Sequence, residues 1–338
     1  MKREGKITSF GFINVDKPSG ITSSTVVNKC KWLSGVPCGH MGTLDPLASG
    51  VLPVGIGNAT RLFDYFLEKE KEYIAQFTFG VDSDTLDSTG TLVYGGYVPS
   101  EGEISAVLPT FFGDIMQIPP KYSAKNVNGK RGYELARAGV EFELAPKKVH
   151  IYGMEMLGKS EDKENTYRIK IRCGGGTYIR SLARDIAAAL DTKAVMSSLL
   201  RTQSGCFHLE KAIPFSLLES DPSMEELEKN LIPTASVLPF ADLKLDEKQT
   251  VKILQGQQVR VDEADGLYKL YNTDGFYGVA EVTNGLAKAK KKLCKKGFGL
   301  RKRIIKTPLR YCLVVLTVCI LDTVNFYVAP NNTPTPLA

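Results

Sequence analysis

Residue sets that mark most catalytic centres are scarce in this 338-residue chain. Its seven cysteines form no C-x-x-C pair and no regular framework, and His40, His150 and His208 lie far apart. That argues against a zinc site or a disulfide scaffold, and reduced thiols in a cytoplasmic protein are the simplest account. The first residues, Met1 to Gly5, are charged and lack the apolar run of a signal peptide. There is no Gly-x-Ser-x-Gly elbow, and no cysteine has an evident histidine partner. Gly55-x-Gly57 lacks the third glycine of a dinucleotide fingerprint and no P-loop is present, so no nucleotide cofactor is expected. Asp82 to Gly90 fails as a calcium loop because Leu86 takes the third ligand position and no Glu closes it. A hydrogen-bonded acidic turn is expected there instead.

Acidic residues also nearly vanish from the C-terminal end. Residues 288–338 hold eleven Lys/Arg and only Asp322, a local net of +10 against +6 for the whole chain, which leaves −4 for the body. Lys295 to Arg310 is basic, and Tyr311 to Leu321 is an apolar run of eleven. That is short of the roughly 18–20 residues a spanning helix needs. The expectation for residues 294–338 is a basic, poorly ordered extension that adds non-specific RNA affinity, with a weak membrane anchor or a frame change in the underlying gene as the alternatives.

What the sequence does contain is one shaped loop with a carboxylate, Gly39-His40-Met41-Gly42-Thr43-Leu44-Asp45-Pro46-Leu47-Ala48-Ser49-Gly50. Pro46 pushes Asp45 away from helix, and the glycines allow sharp turns and close approach. By itself this also reads as an ordinary Asp-Pro turn. Around it, residues 10–16 read as a strand and Lys17-Pro18-Ser19-Gly20 as a turn. A helix follows from Thr22 or Ser23 to about Leu33, and a strand over residues 51–57. Asn58 to Leu67 reads as a helix, as does Ile104 to Phe112. Lys71 to Phe79 alternates as a strand, and so does Tyr167 to Cys173. Gly174-Gly175-Gly176 then delivers Thr177-Tyr178-Ile179-Arg180 to the mouth of a helix, where Arg180 can form a bidentate pair with a carboxylate. Leu199 to Thr202 reads as the end of a helical segment. Residues 119–150 interleave Lys121, Lys125, Lys130, Arg131, Arg137, Lys147 and Lys148 with Tyr122 and Tyr133, a pattern suited equally to tracking a nucleic-acid backbone and to a solvated insertion. Beyond a linker near Pro233, short strand patterns separated by Asp/Gly turns suggest a small β-domain. One loop carboxylate, an arginine to orient it and tyrosines that could stack on a base suit work on an extruded nucleobase.

On these blocks the chain resembles the TruB family of tRNA pseudouridine synthases over roughly residues 10–290. The most specific match is Gly39 to Pro53, supported by Asp16 to Gly20, Lys71-Glu72-Tyr73, Asp82 to Gly90, Pro119 to Ala124 and Gly176 to Arg180. The resemblance implies an α+β fold with a large mixed, mainly antiparallel sheet flanked by helices. It also implies a catalytic domain over residues 8–233 with an RNA-binding insertion at about 119–150. A reduced PUA-like RNA-binding domain would follow over 240–293. The implied activity converts uridine 55 in the tRNA T-loop to pseudouridine in the cytoplasm, with no metal or cofactor. No guide RNA and no obligatory protein partner are expected, and the enzyme is expected to be a monomer. Residue by residue, Asp45 matches the catalytic aspartate and Arg180 the arginine paired with it. Tyr73 matches the tyrosine stacking on the flipped uracil, Tyr178 and Leu200 line the pocket, and His40 helps hold the T-loop open. Lys17, Pro18 and Gly42 support the loop.

Overall fold

The computed structural model describes residues 6–293, apart from residues 68, 124, 125, 128, 273 and 274. The extension at 294–338 lies outside the described residues. So do the side chains of Lys125, Lys130, Arg131, Tyr133 and Arg137 in the basic segment.

Alternation and capping account for the elements that frame the loop. Strand β1 (Gly11–Lys17) leads to helix α1 (Ser23–Ser34), which starts where the Thr22 side chain accepts the Thr25 N–H and stops at Gly35 in the left-handed region. Strands β2 (Cys38–His40) and β3 (Ser49–Ile56) bracket the Asp45 loop. Residues 58–67, expected as one helix, instead fall in a 3-10 turn (Gly57–Leu62) and a four-residue helix, Asp64–Leu67. Strand β4 (Lys71–Phe79) buries every second residue, including Tyr73, Ala75, Phe77 and Phe79. Helix α2 (Glu101–Val107) begins three residues ahead of the expected Ile104, because Ser100 and Glu103 close a capping box. Strands β5 (Gly113–Gln117), β6 (Lys147–Lys159) and β7 (Thr166–Cys173) follow, then helix α3 (Ile179–Ala188) and strand β8 (Ala194–Ser204).

The sheet order is Ile213–Pro214, β1, β3, β8, β4, β7, β6, β5. Every junction is antiparallel except β3 with β8 and Ile213–Pro214 with β1. This is the α+β architecture with a large mixed, mainly antiparallel sheet that the family resemblance implied. β8 corrects the helical reading of Leu199 to Thr202. Its long ladder with β4, from Ala194↔Phe79 to Ser204↔Lys71, is what makes this segment a strand.

One core joins β-strand residues such as Val15, Val54, Phe77 and Ile171 to Val26 and Leu33 of α1 and Leu182 and Ile186 of α3. The C-terminal region adds β9 (Ala241–Lys244), α4 (Glu247–Leu254), β10 (Val259–Arg260), β11 (Gly266–Asn272), β12 (Gly275–Thr283) and β13 (Leu286–Lys292). These strands make a five-stranded sheet in the order β9-β11-β12-β13-β10. A second core ties this sheet to the first: Phe12, Met41, Val51 and Phe66 pack in one buried cluster with Val279 and Leu293. Among the described residues no helix is long and apolar enough to cross a membrane.

Candidate active site

The Asp45 loop is fastened on several sides by groups that precede it in the chain. Ser23 Oγ accepts the Leu44 N–H at 2.9 Å and donates to the Leu44 carbonyl at 2.8 Å. The Gly20 N–H donates to Pro46 O at 2.8 Å, and Ser19 Oγ to Leu47 O at 2.7 Å. Lys17 is fully buried at the end of β1, and its Nζ donates to the carbonyls of Pro18 and Ile21 at 2.8 Å and of Pro46 at 3.4 Å. Burial pushes its ammonium down to about 8, and the nearby Asp45 carboxylate pulls the other way. Gly50 is required where the loop enters β3. Its φ is +97°, and a Cβ there would meet the Arg201 carbonyl oxygen at 2.3 Å.

This leaves the Asp45 carboxylate as the partly open group, 38% exposed, facing an arginine that is 7% exposed. Arg180 sits in the first turn of α3, where the Gly174–Gly176 turn delivers it. Its Nη2 lies 2.9 Å from Asp45 Oδ2, and its Nη1 lies 3.3 Å from Asp87 Oδ2. It also donates to the carbonyls of Thr85 at 3.1 Å and Tyr122 at 3.0 Å. Asp87 is itself buried and receives hydrogen bonds from the Thr85 hydroxyl and from Thr89 through both N–H and hydroxyl. The acidic turn is therefore a mount for Arg180. One guanidinium is held by a buried carboxylate and presented to a more open one.

Tyr73 lies on β4, fully enclosed, with burial pushing its phenol up to about 12. Its cross-strand partner on β8 is Arg201, whose guanidinium reaches the phenol. His40 ends β2. Burial and then Arg201 push its pKa down, and its Nδ1 is buried without a hydrogen-bond partner among the described residues. Lys71, also driven down to about 8 by burial, borders Gly42 beside Arg201. Tyr178 caps α3, half-buried, its backbone N–H and C=O both bonded to the Gln117 amide at 2.8 and 3.1 Å. Pro18 is exposed and contributes its carbonyl to Lys17.

The structure thus gathers Asp45, Arg180, Lys17, Gly42 and Pro18 in one bonded neighbourhood, with Tyr73 and His40 joined to it through Arg201 and Tyr178 two residues before Arg180 in sequence. Leu200 is different. It pairs with Ile74 and Ser49, on the strand face opposite Tyr73 and Arg201, whereas Leu199 lies on the Tyr73 face and is buried. Two members were missed in the sequence reading, Asp87 and Arg201. Asp87 was hidden inside a turn that local hydrogen bonding already explained. Arg201 did leave a signal, a lone arginine directly after the apolar pair Leu199-Leu200.

A cavity of about 830 Å³ adjoins the site, lined by Leu86, Ile118, Pro120, Tyr122, Val140 and Arg184 among others. It links the acidic turn to the 119–150 segment. Among the described residues no group of three His, Cys, Asp or Glu could hold a metal ion. What the site offers chemically is an open carboxylate locked in place, an arginine fork against it, and aromatic rings nearby.

Comparison with known proteins points one way. Residues 31–179 match the model of the TruB family pseudouridylate synthase N-terminal domain, and residues 241–291 match that of the pseudouridine synthase II TruB C-terminal domain. A tRNA pseudouridine synthase B of Caldanaerobacter subterraneus subsp. tengcongensis is 40% identical over 279 residues, covering 80% of this chain and 95% of that protein. One from Saccharophagus degradans is 38% identical over 306 residues, covering 86% and 97%. Among solved structures, a chain of a Cbf5-Nop10-Gar1 complex superposes with a TM-score of 0.61 at 26% identity, covering 84% of this chain and 85% of that one.

Proposed function

The chain belongs to the TruB family of pseudouridine synthases, and from that premise we propose that it isomerises uridine 55 in the tRNA T-loop, with Asp45 as the catalytic carboxylate and no cofactor. It is a tRNA pseudouridine synthase. In the reaction the N1–C1′ bond breaks, the uracil turns, and a C5–C1′ bond forms. The hydrogen on C5 leaves to solvent and N1 acquires one, so nothing is oxidised or reduced.

The observation that carries this reading is the Arg180–Asp45 contact at 2.9 Å, made by a buried fork to a carboxylate with open space beside it. A pair serving only stability would gain nothing from exposing one partner. The enclosed Tyr73 ring and the half-buried Tyr178 ring supply apolar surfaces suited to a base taken out of its stack. His40, kept neutral, suits contact with RNA near the rim of the loop. The catalytic machinery is assigned to residues 8–233 and an RNA-holding, PUA-like role to residues 240–293. The enzyme acts alone on bare tRNA, without a guide RNA.

Asp45→Asn keeps the size and hydrogen-bonding capacity of the side chain and removes its charge. The expected result is loss of tritium release from tRNA labelled at uracil C5, with T-arm binding retained. Normal release by the variant, or no release by the wild-type protein on bare tRNA, would overturn the assignment.

A further inference from the structure

Arg201 has the largest fully buried side chain in the described protein. An enclosed guanidinium is expensive, because its charge loses water and must be met by other groups. Its partners here are all neutral. Nε donates to Val51 O at 2.7 Å, Nη1 to Thr43 O at 3.3 Å and Nη2 to Gly42 O at 3.1 Å, and the Tyr73 phenol completes the set. Among the described residues no carboxylate forms an ion pair with it. A buried charge with no counter-charge is not explained by its own desolvation balance, although removing it would leave the three loop carbonyls without these donors.

The direction of the donors does account for it. Gly42 and Thr43 lie three and two residues before Asp45, and Val51 lies six after it, so the three carbonyls grip the loop on both sides of its carboxylate. The fourth partner, Tyr73, stands directly across the β8–β4 ladder from Arg201. The Arg201 backbone pairs with Gly50, where no Cβ fits, so the strand carrying the guanidinium is seated against the loop's own exit. One rigid fork is bonded to the loop and to the tyrosine together.

We infer that Arg201 is the positioning residue of this site, fixing the Asp45 loop and the Tyr73 ring in one geometry so that the carboxylate meets the nucleoside in register. The inference rests on the reading of Asp45 as the catalytic carboxylate. A lysine could supply the charge but not a planar fork reaching three carbonyls and a phenol.

The test compares wild type, D45N, R201K, R201M and R201A on tritiated tRNA under single-turnover conditions, with RNA affinity and melting temperature measured alongside. R201K is expected to fold, to bind tRNA as wild type does, and to lose about a hundredfold in single-turnover rate, the scale of a small misplacement of reacting groups. Where R201A folds, millimolar guanidinium should restore part of its rate while urea and sodium chloride do not; R201M serves as the charge-free variant if R201A does not fold. A wild-type rate in R201K or R201M overturns the inference, as does a rate loss matched by an equal loss of RNA affinity. If D45N itself turns over normally, the reading of the site fails. If D45N is inactive while R201K is as fast as wild type, only the role of Arg201 fails.

Discussion

At the scale of single residues, the site is governed by cations held out of water. Arg180 joins an open carboxylate to a buried one, and both of its Nη atoms are occupied. Arg180→Lys cannot bridge Asp45 and Asp87 together, and its rate should fall about a hundredfold with little change in fold, measurable as single-turnover kinetics beside circular dichroism. Lys17 makes a pH prediction. Its free side chain titrates near 10.5 and the folded one at about 8, so between those values the unfolded chain binds more protons. Folding stability should therefore rise with pH through that window, and the contribution is missing below about 8. Activity should move the opposite way, since a neutral amine has two N–H groups for three carbonyls and the loop slackens. A pH–rate profile with an alkaline limb near 8, lost in Lys17→Met, checks this. Lys71, pushed down for the same reason, contributes to the stability rise but does not hold those carbonyls. A limb unchanged in Lys17→Met would rule the idea out.

At the scale of elements, the loop and the strand beside it form one unit, and Gly50 is where they touch. Gly50→Ala places a side chain in the left-handed region and against the Arg201 carbonyl, and should cost about 3 kcal/mol in chemical denaturation while also slowing turnover. Ser100→Ala breaks a capping box far from the site and should cost about 1 kcal/mol with turnover unchanged. If both variants affected rate equally, loop and fold would not be separable. This scale also shows what the sequence could and could not reveal. β4 and β7 announced themselves because alternate positions are buried on one face, and the α1 cap was written in Thr22 and Gly35. β8 was not legible, because its burial comes from both faces and a run such as Val195 to Leu200 suits helix or strand alike until β4 pairs with it. Asp45 and Arg180 stood out in their glycine and proline settings, whereas Tyr73, on a clean alternation, reads locally as core and took a role only from the family resemblance. Asp87 and Arg201 could not be assigned roles, since their meaning lies in partners 93 and 150 residues away.

At the scale of the whole molecule, the C-terminal sheet reaches the back of the Asp45 loop. Met41, next to Gly42, is buried in the cluster that contains Val279 and Leu293, and Asn58 and Asp64 bond Leu293 and Lys291 respectively. Leu293→Ala should leave a cavity, lower stability by about 3 kcal/mol, and reduce turnover more than its distance from Asp45 would suggest. Denaturant melts and single-turnover rates on that variant check both statements. The parallel seam between β3 and β8 carries a different implication. It brings Val51 and Arg201 together across 150 residues of chain, and parallel pairing at such separation closes late because the intervening loop must be ordered first. During synthesis the loop motif emerges early and waits, so a nascent chain fixes the Asp45 loop against β8 only once residue 204 has cleared the ribosome. A growing polypeptide of this sequence should therefore meet tRNA as a substrate only after β8 is free to pair, well after the loop motif itself has emerged.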